Sequence, residues 1–393
     1  MVTGMRDFLP KEKLKREQVL STIRSSYRNY GFDEIETPAL EDVSRLRSSD
    51  GGDNTKMTFE VLKRRLKPEQ WQQTNLTYDL VDLGLRFDLT VPLSRFYEDN
   101  KAKLPEVFRS IQIAPVWRAE RPQKGRYRQF IQCDIDIIGD ASMYAEVELI
   151  TVTARTLKAL GVTDFTIRVN DRAVLNDALE AAKIPKDLQR SALVLLDKMD
   201  KMPKEKMLAE FAKLGDEDAV LYSILAVSVL NKESNLAAII NSVNELMGEE
   251  IAVFDSTLVR GMGYYTGTIF EISTPGESYS LGGGGRYDDM LSGPVGPKTP
   301  AVGFSLGFER IIDLVNVSET EAQPSVALIY TQNQLENIQL SQKLVDEGYR
   351  VSLVRKVNNT RRQLDLLKAD GFTKFVFTDN IDLDNVVLRD FTL

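Results

Sequence analysis

The sequence predicts an α+β protein of more than one domain, and three observations carry that expectation. Strand-like segments dominate the first 170 residues, two of them joined like a hairpin. From Asp171 to about Met247 the chain becomes rich in Ala, Leu, Lys and Glu, with breaks at Pro185, Pro203 and Gly215; that texture is a helical insertion. After residues 316–324 (NVSETEAQP), which read as a linker, strand-like and amphipathic segments alternate as in a small α/β domain. The expected boundaries are 1–170, 171–250, 251–318 and 324–393.

The elements follow in order. Residues 10–30 read as a helix: Pro10 suits a first turn, Leu20, Ile23, Tyr27 and Tyr30 fall at helical spacing, and Gly31 ends it. Residues 32–35 form a short strand leading to Pro38. Further strands are expected at 84–91, 110–119, 126–138 and 165–170, and strand and glycine signals return over 254–287. In the last domain, strands at 326–330, 351–354 and 374–377 alternate with helices at 335–347 and 361–369.

Composition limits the chemistry. The 393 residues are 42% hydrophobic and 27% charged, which suits a globular core. No apolar run reaches the roughly 18 residues of a membrane span; the longest, 220–230, is broken by Tyr222, Ser223 and Ser228. The N-terminus lacks a signal-peptide core, and Cys133 is the single cysteine, so a cytoplasmic protein without membrane attachment is expected. A net charge of −8 argues against a general nucleic-acid coat but leaves room for a local basic site. The chain contains no histidine. That excludes Ser–His–Asp and Cys–His hydrolases and argues against a zinc site. Arginine, lysine, carboxylates, tyrosine and backbone must do the work.

Five constellations can do it. In 118–139, RAERPQKGRYRQFIQCDIDIIG, five cations (Arg118, Arg121, Lys124, Arg126, Arg128) stand against Glu120 in eleven residues. Period-two alternation puts Arg126, Arg128, Phe130, Gln132, Asp134 and Asp136 on one face and a mostly apolar set on the other. Guanidinium groups fork onto phosphates, a flat ring stacks on a base, and carboxylates hold an ammonium group. The same pattern also suits a charged hairpin facing water. In LRFDLT at 85–90, Arg86, Asp88 and Thr90 are expected on one strand face. In LVRGMGYYTGTIFE at 258–271, Arg260 neighbours Gly261, Gly263, Tyr264 and Tyr265, where glycine lets a ligand approach the backbone. GGGGRYD at 282–288 reads as a permissive turn, without P-loop or dinucleotide spacing. AVGFSLGFER at 301–310 ends on Arg310.

Together and in this order, these segments resemble histidyl-tRNA synthetases, well over residues 2–315 and more weakly over 324–393. TGMRDFLP at 3–10 is similar to the family's N-terminal signature and GFDEIETP at 31–38 to the first class II motif. The 118–139 stretch with its preceding strand resembles the second motif, and AVGFSLGFER the third. LVRGMGYYTGTIFE and GGGGRYD resemble the stretches that set the histidine enzyme apart. The resemblance implies a class II antiparallel sheet flanked by helices, a helical insertion and an anticodon-binding-like C-terminal domain. It implies activation of L-histidine by ATP with Mg2+, transfer to tRNA(His), and a homodimer.

It also implies roles. Arg118 and Arg260 would be the catalytic cations on the α-phosphate. Glu120, Arg126, Phe130 and Arg310 would complete the ATP site, with Phe130 and Arg310 sandwiching the adenine. Asp88, Thr90 and Gln132 would take the α-amino group, and Asp136, Tyr264, Tyr265 and Tyr287 the imidazole. No protein metal ligand is assigned. Two departures stand out: Gly263 replaces the family's usual Asp, and the C-terminal domain is read as shortened after residues 386–389. A catalytically inert paralogue, of the kind that regulates ATP phosphoribosyltransferase, and an amino-acid sensor remain as alternatives.

Overall fold

The computed structural model describes residues 2–48, 57–68, 71, 80–123, 125–181, 183–196, 209–210, 231, 233–259, 265–291, 298–315, 324–332, 335–379 and 386–391. By its internal contacts the chain divides into two compact units, residues 1–8 with 16–315 and residues 9–15 with 316–393.

The strands of the larger unit are β1 (Asp33–Glu34), β2 (Leu40–Asp42), β3 (Phe59–Leu62), β4 (Val81–Leu85), β5 (Phe108–Trp117), β6 (Gln129–Ile138), β7 (Thr166–Asp171), β8 (Ala252–Phe254), β9 (Thr268–Ser273), β10 (Gly282–Arg286) and β11 (Ala301–Gly307). Eight of them form one sheet in the order β1-β5-β6-β11-β10-β9-β7-β8. The six central strands are antiparallel, and β1 and β8 add as parallel edges. A separate antiparallel sheet takes the order β2-β4-β3.

Pleating gives the large sheet two different faces. One carries Cys133, Ile135 and Ile137 opposite Leu306, Phe304 and Val302, then Phe270 and Ile272, all buried. The helix Tyr144–Ala159 lies against β6 and β11, and Asn235–Met247 packs on that helix and on β7 and β8. The helix Pro10–Asn29 buries Val19, Leu20, Ile23 and Tyr27, and its Ser26 hydroxyl meets that of Thr156 at 2.7 Å. Gly31, at φ +80°, follows as the expected stop. The opposite face bears the polar residues described below.

Three expected elements differ. The strand expected at 84–91 ends at Leu85, and Thr90–Asn100 is a helix. The Asp88 carboxylate accepts the amide of Val91 and Pro92 sits in the first turn, so Asp88 and Thr90 share a helix entrance rather than a strand face. Arg86 is buried, donating to the carbonyls of Thr37, Pro38 and Pro115. The strand expected from 126 begins at Gln129, because residues 118–128 form a loop closed by the Gln123–Arg126 bridge around Gly125 (φ +73°). The glycine run at 282–285 is strand β10, not a turn. A Cβ on Gly284 would fall 1.9 Å from the Gly303 carbonyl oxygen and 2.6 Å from the Phe270 ring. Most of 197–230 lies outside the described residues.

The smaller unit holds a four-stranded sheet of β12 (Ser325–Tyr330), β13 (Arg350–Arg355), β14 (Lys374–Phe377) and β15 (Arg389–Asp390) in the order β13-β12-β14-β15. Its first three strands are parallel, connected through the helices Leu335–Asp346 and Thr360–Ala369.

Candidate active site

The polar face of the sheet is built by register. Phe130, Gln132, Asp134 and Asp136 follow one another along β6. On β5 they stand opposite Val116, Ala114, Gln112 and Ser110, and on β11 Gln132, Asp134 and Asp136 meet Gly307, Ser305 and Gly303. Gly283 and Gly285 of β10 extend this face. The result is a polar strip on one side and, beside it, a lane nearly free of side chains.

At one end of the strip the Tyr287 hydroxyl donates to Asp136 Oδ1 at 2.5 Å. Both residues are buried, and Tyr287 packs with Leu93, Phe108, Ile138 and the half-buried Tyr265. Gly303 makes the room, since a Cβ there would lie 2.0 Å from Asp136 Oδ1. Burial raises the Asp136 pKa to about 7, against the Tyr287 hydrogen bond that lowers it; the nearby Asp88 adds to the rise. Burial and then the Asp136 charge push Asp134 well above the ordinary carboxylate range. Ser305 hydrogen-bonds Asp134 and accepts from Gln132 Nε2 at 2.8 Å. Asp134 Oδ1 and Gln132 Oε1 are buried with no partner among the described residues. A buried polar atom left in this way costs stability.

The raised Asp136 pKa gives a signed pH effect. Between about pH 4 and 7 the folded protein holds a proton here that the unfolded chain has lost, so stability falls as pH rises through that window. Asp136→Asn is expected to flatten the fall. Urea midpoints at pH 5 and pH 7.5 for both proteins test this, and parallel curves would refute it.

At the other end lie the cations. Arg118 follows β5; its amide donates to the Arg128 carbonyl (2.9 Å) and its Nε to the Phe87 carbonyl (3.0 Å). Its guanidinium carbon is 5.0 Å from the centre of the Phe130 ring. Arg310, on the helix Phe308–Leu314, donates to Gly125 O (3.1 Å) and Ser280 O (2.6 Å), and lies over Tyr279 at 5.3 Å. The cation over Phe130 is thus Arg118, while Arg310 holds the loop that carries Glu120 and Arg126, both exposed. Arg260, Gly263 and Tyr264 lie outside the described residues.

Of the residues expected to form the site, the structure sets Phe130, Gln132 and Asp136 along one strand face, with Tyr287 against Asp136, Arg118 over Phe130 and Asp88 near enough to raise both buried aspartates. It gave no role to Asp134 or Ser305; Asp134 was visible in the same alternation. Arg286, beside Tyr287, turns to Glu146 through two contacts of 2.7 Å, an ion pair 140 positions apart that no local pattern announces. Among the described residues no group of three acidic or thiol side chains is placed to hold a metal ion.

Comparison with known proteins identifies the family. A family model described as histidyl-tRNA synthetase matches residues 4–311. A histidine–tRNA ligase of Leifsonia xyli is 48% identical over 96% of this chain and 94% of its own. A probable histidine–tRNA ligase of Tropheryma whipplei is 40% identical over 96% and 95%. Among solved structures, a histidyl-tRNA synthetase from Nostoc superposes with a TM-score of 0.73 at 27% identity, covering 95% of this chain and 90% of that one. The large mixed sheet flanked by helices, with its additional α/β sheet, is the class II fold. The chain belongs to the histidyl-tRNA synthetase family.

Proposed function

We propose that this protein is a histidine–tRNA ligase, joining L-histidine to the α-phosphate of ATP and passing the histidyl group to tRNA(His). One observation carries the reading. A single strand, β6, presents a ring under a guanidinium at one end and a buried tyrosine–carboxylate pair at the other.

The chemistry needs no protein nucleophile. The carboxylate of histidine attacks the α-phosphorus and pyrophosphate leaves. Positioning and charge stabilisation supply the rate. Arg118 and Arg260 hold the α-phosphate oxygens, and Arg126 reaches the outer phosphates. Phe130 and Arg310 border the adenine, and Glu120 takes its amino group. Asp88, Thr90 and Gln132 bind the α-ammonium group. Asp136, fixed by Tyr287, accepts an imidazole N–H, with Tyr264 and Tyr265 closing the pocket. Magnesium, carried on the ATP phosphates, would supply further charge neutralisation there.

The 171–250 segment is read as the helical insertion and 324–393 as the anticodon-binding-like domain, where exposed Arg355, Arg361 and Arg362 offer charge to phosphates. A homodimer would cover the apolar face of the β2-β4-β3 sheet, where Leu40, Val61 and Leu83 are exposed. No helix among the described residues is long and apolar enough to cross a membrane.

The test is histidine-dependent exchange of labelled pyrophosphate into ATP, followed by charging of full-length tRNA(His) and of a mini-helix. Exchange that requires histidine, and rejects other amino acids, is the expected result. No exchange from folded protein would sink the reading and favour an inert paralogue. Equal charging of both RNAs would remove the role given to the C-terminal domain.

A further inference from the structure

Residues 4–8 and Arg16 have no part in the reaction described above, yet they meet both segments that carry the nucleotide residues. Glu309 immediately precedes Arg310 and is buried. Its carboxylate receives Arg16 through both oxygens, at 2.6 Å each, and Arg6 at 2.5 Å. The Ile131 amide points at it from β6 at 3.4 Å.

The two arginines also stack. The Arg6 guanidinium lies 3.8 Å from the Tyr127 ring centre and 5.1 Å from that of Phe8. The Arg16 guanidinium lies 3.8 Å from Phe8 and 4.7 Å from Phe308. The order is Tyr127, Arg6, Phe8, Arg16, Phe308: ring and cation alternate five deep. One end is the 118–128 loop, the other the helix of Arg310. Gly4 fastens the near end, its carbonyl accepting the Arg128 amide at 2.7 Å. With φ +83° and Arg128 Cγ 3.0 Å from a Cβ built there, position 4 admits only glycine without a shift.

We propose that this stack, closed on Glu309, is the positioning device of the nucleotide site. It sets the distance between the loop bearing Glu120 and Arg126, which runs into Phe130 on β6, and the helix bearing Arg310. The inference rests on the ATP site proposed above. The physical reason is stiffness. A planar cation between two rings, with its N–H groups committed to one carboxylate, has a single low-energy placement. The loop 118–128 is tied down at its ends, by the Ala119 amide on the Met57 carbonyl and the Arg128 amide on the Gly4 carbonyl, while its tip is fastened by the Gln123–Arg126 bridge and the contact of Arg310 with Gly125. These residues touch no substrate and are positioning residues.

The variants follow from burial. Arg16 is 6% exposed and shares both Glu309 oxygens, so removing it strands a buried carboxylate and endangers the fold. Arg6 is 34% exposed, and Arg6→Ala leaves the Arg16–Glu309 pair intact. Arg6→Ala and Tyr127→Ala should each raise the ATP KM in histidine-dependent exchange about tenfold, with histidine KM within twofold of wild type. Tyr127→Phe keeps the ring and should restore the wild-type ATP KM. Unchanged ATP KM in a folded, active Arg6→Ala protein would overturn the proposal. So would equal rises in both KM values, or Tyr127→Phe behaving as Tyr127→Ala. Absence of exchange in the wild-type protein would instead overturn the ATP site itself, so the two failures are told apart.

Discussion

Arg118→Ala is expected to slow histidine-dependent pyrophosphate exchange by about 10²–10³-fold, the loss that follows removal of one preorganised charge-stabilising donor. The side chain is held before any substrate arrives. Its Nε is committed to the Phe87 carbonyl and its guanidinium lies over the Phe130 ring, while the backbone amide is tied to the Arg128 carbonyl. A cation fixed in this way meets developing negative charge without reorganising. Arg118→Lys keeps the charge and loses the planar fork, so it should fall between the two. Thermal melting separates this from misfolding, since Arg118 is only half-buried. Exchange by the alanine variant within threefold of wild type would remove Arg118 from the reaction.

Gly303→Ala should damage the other end of the strip. The added Cβ would lie 2.0 Å from Asp136 Oδ1 and 3.2 Å from Tyr287 Cε1. Backbone pairing on both sides fixes Gly303, so the carboxylate must swing away and drop the Tyr287 hydrogen bond. A hydrogen bond to a charged group contributes about 1.5–3 kcal/mol, which corresponds to roughly 10- to 100-fold in histidine KM. ATP KM should move little, because Phe130 and Arg118 lie at the far end of β6. Overpacking adds about 1–3 kcal/mol of destabilisation, visible as a lower melting temperature. An unchanged histidine KM would show that Asp136 does not read the substrate.

These residues also show what a sequence reveals and what it hides. The alternation from Phe130 to Asp136 was legible because pleating forces every second side chain to one face, whatever the neighbours do. The same rule misread 85–90. There Leu85, Phe87 and Leu89 alternate as in a strand, but Asp88 and Pro92 favour a helix entrance, and the local signals won. The glycine run at 282–285 was misread for a different reason. Its cause lies across the sheet, in the Phe270 ring and the Gly303 backbone, and no local rule holds that information. Arg6 and Arg16 carry no local signal of a partner; only folding brings them to Glu309, 303 and 293 positions away.

The two faces of the large sheet have a consequence for turnover in the cell. Helices cover the apolar side, whereas the strip with Asp134 and Gln132 leaves two buried acceptors for a ligand to satisfy. In the function proposed above, substrate would be the layer on that side. A ligand at a hundred times its Kd adds about 2.7 kcal/mol of stability by mass action. The fraction of molecules that open, and so the rate at which a protease meets unfolded chain, would rise as the amino acid and nucleotide run low. The lifetime of the protein would then follow the supply of what it binds.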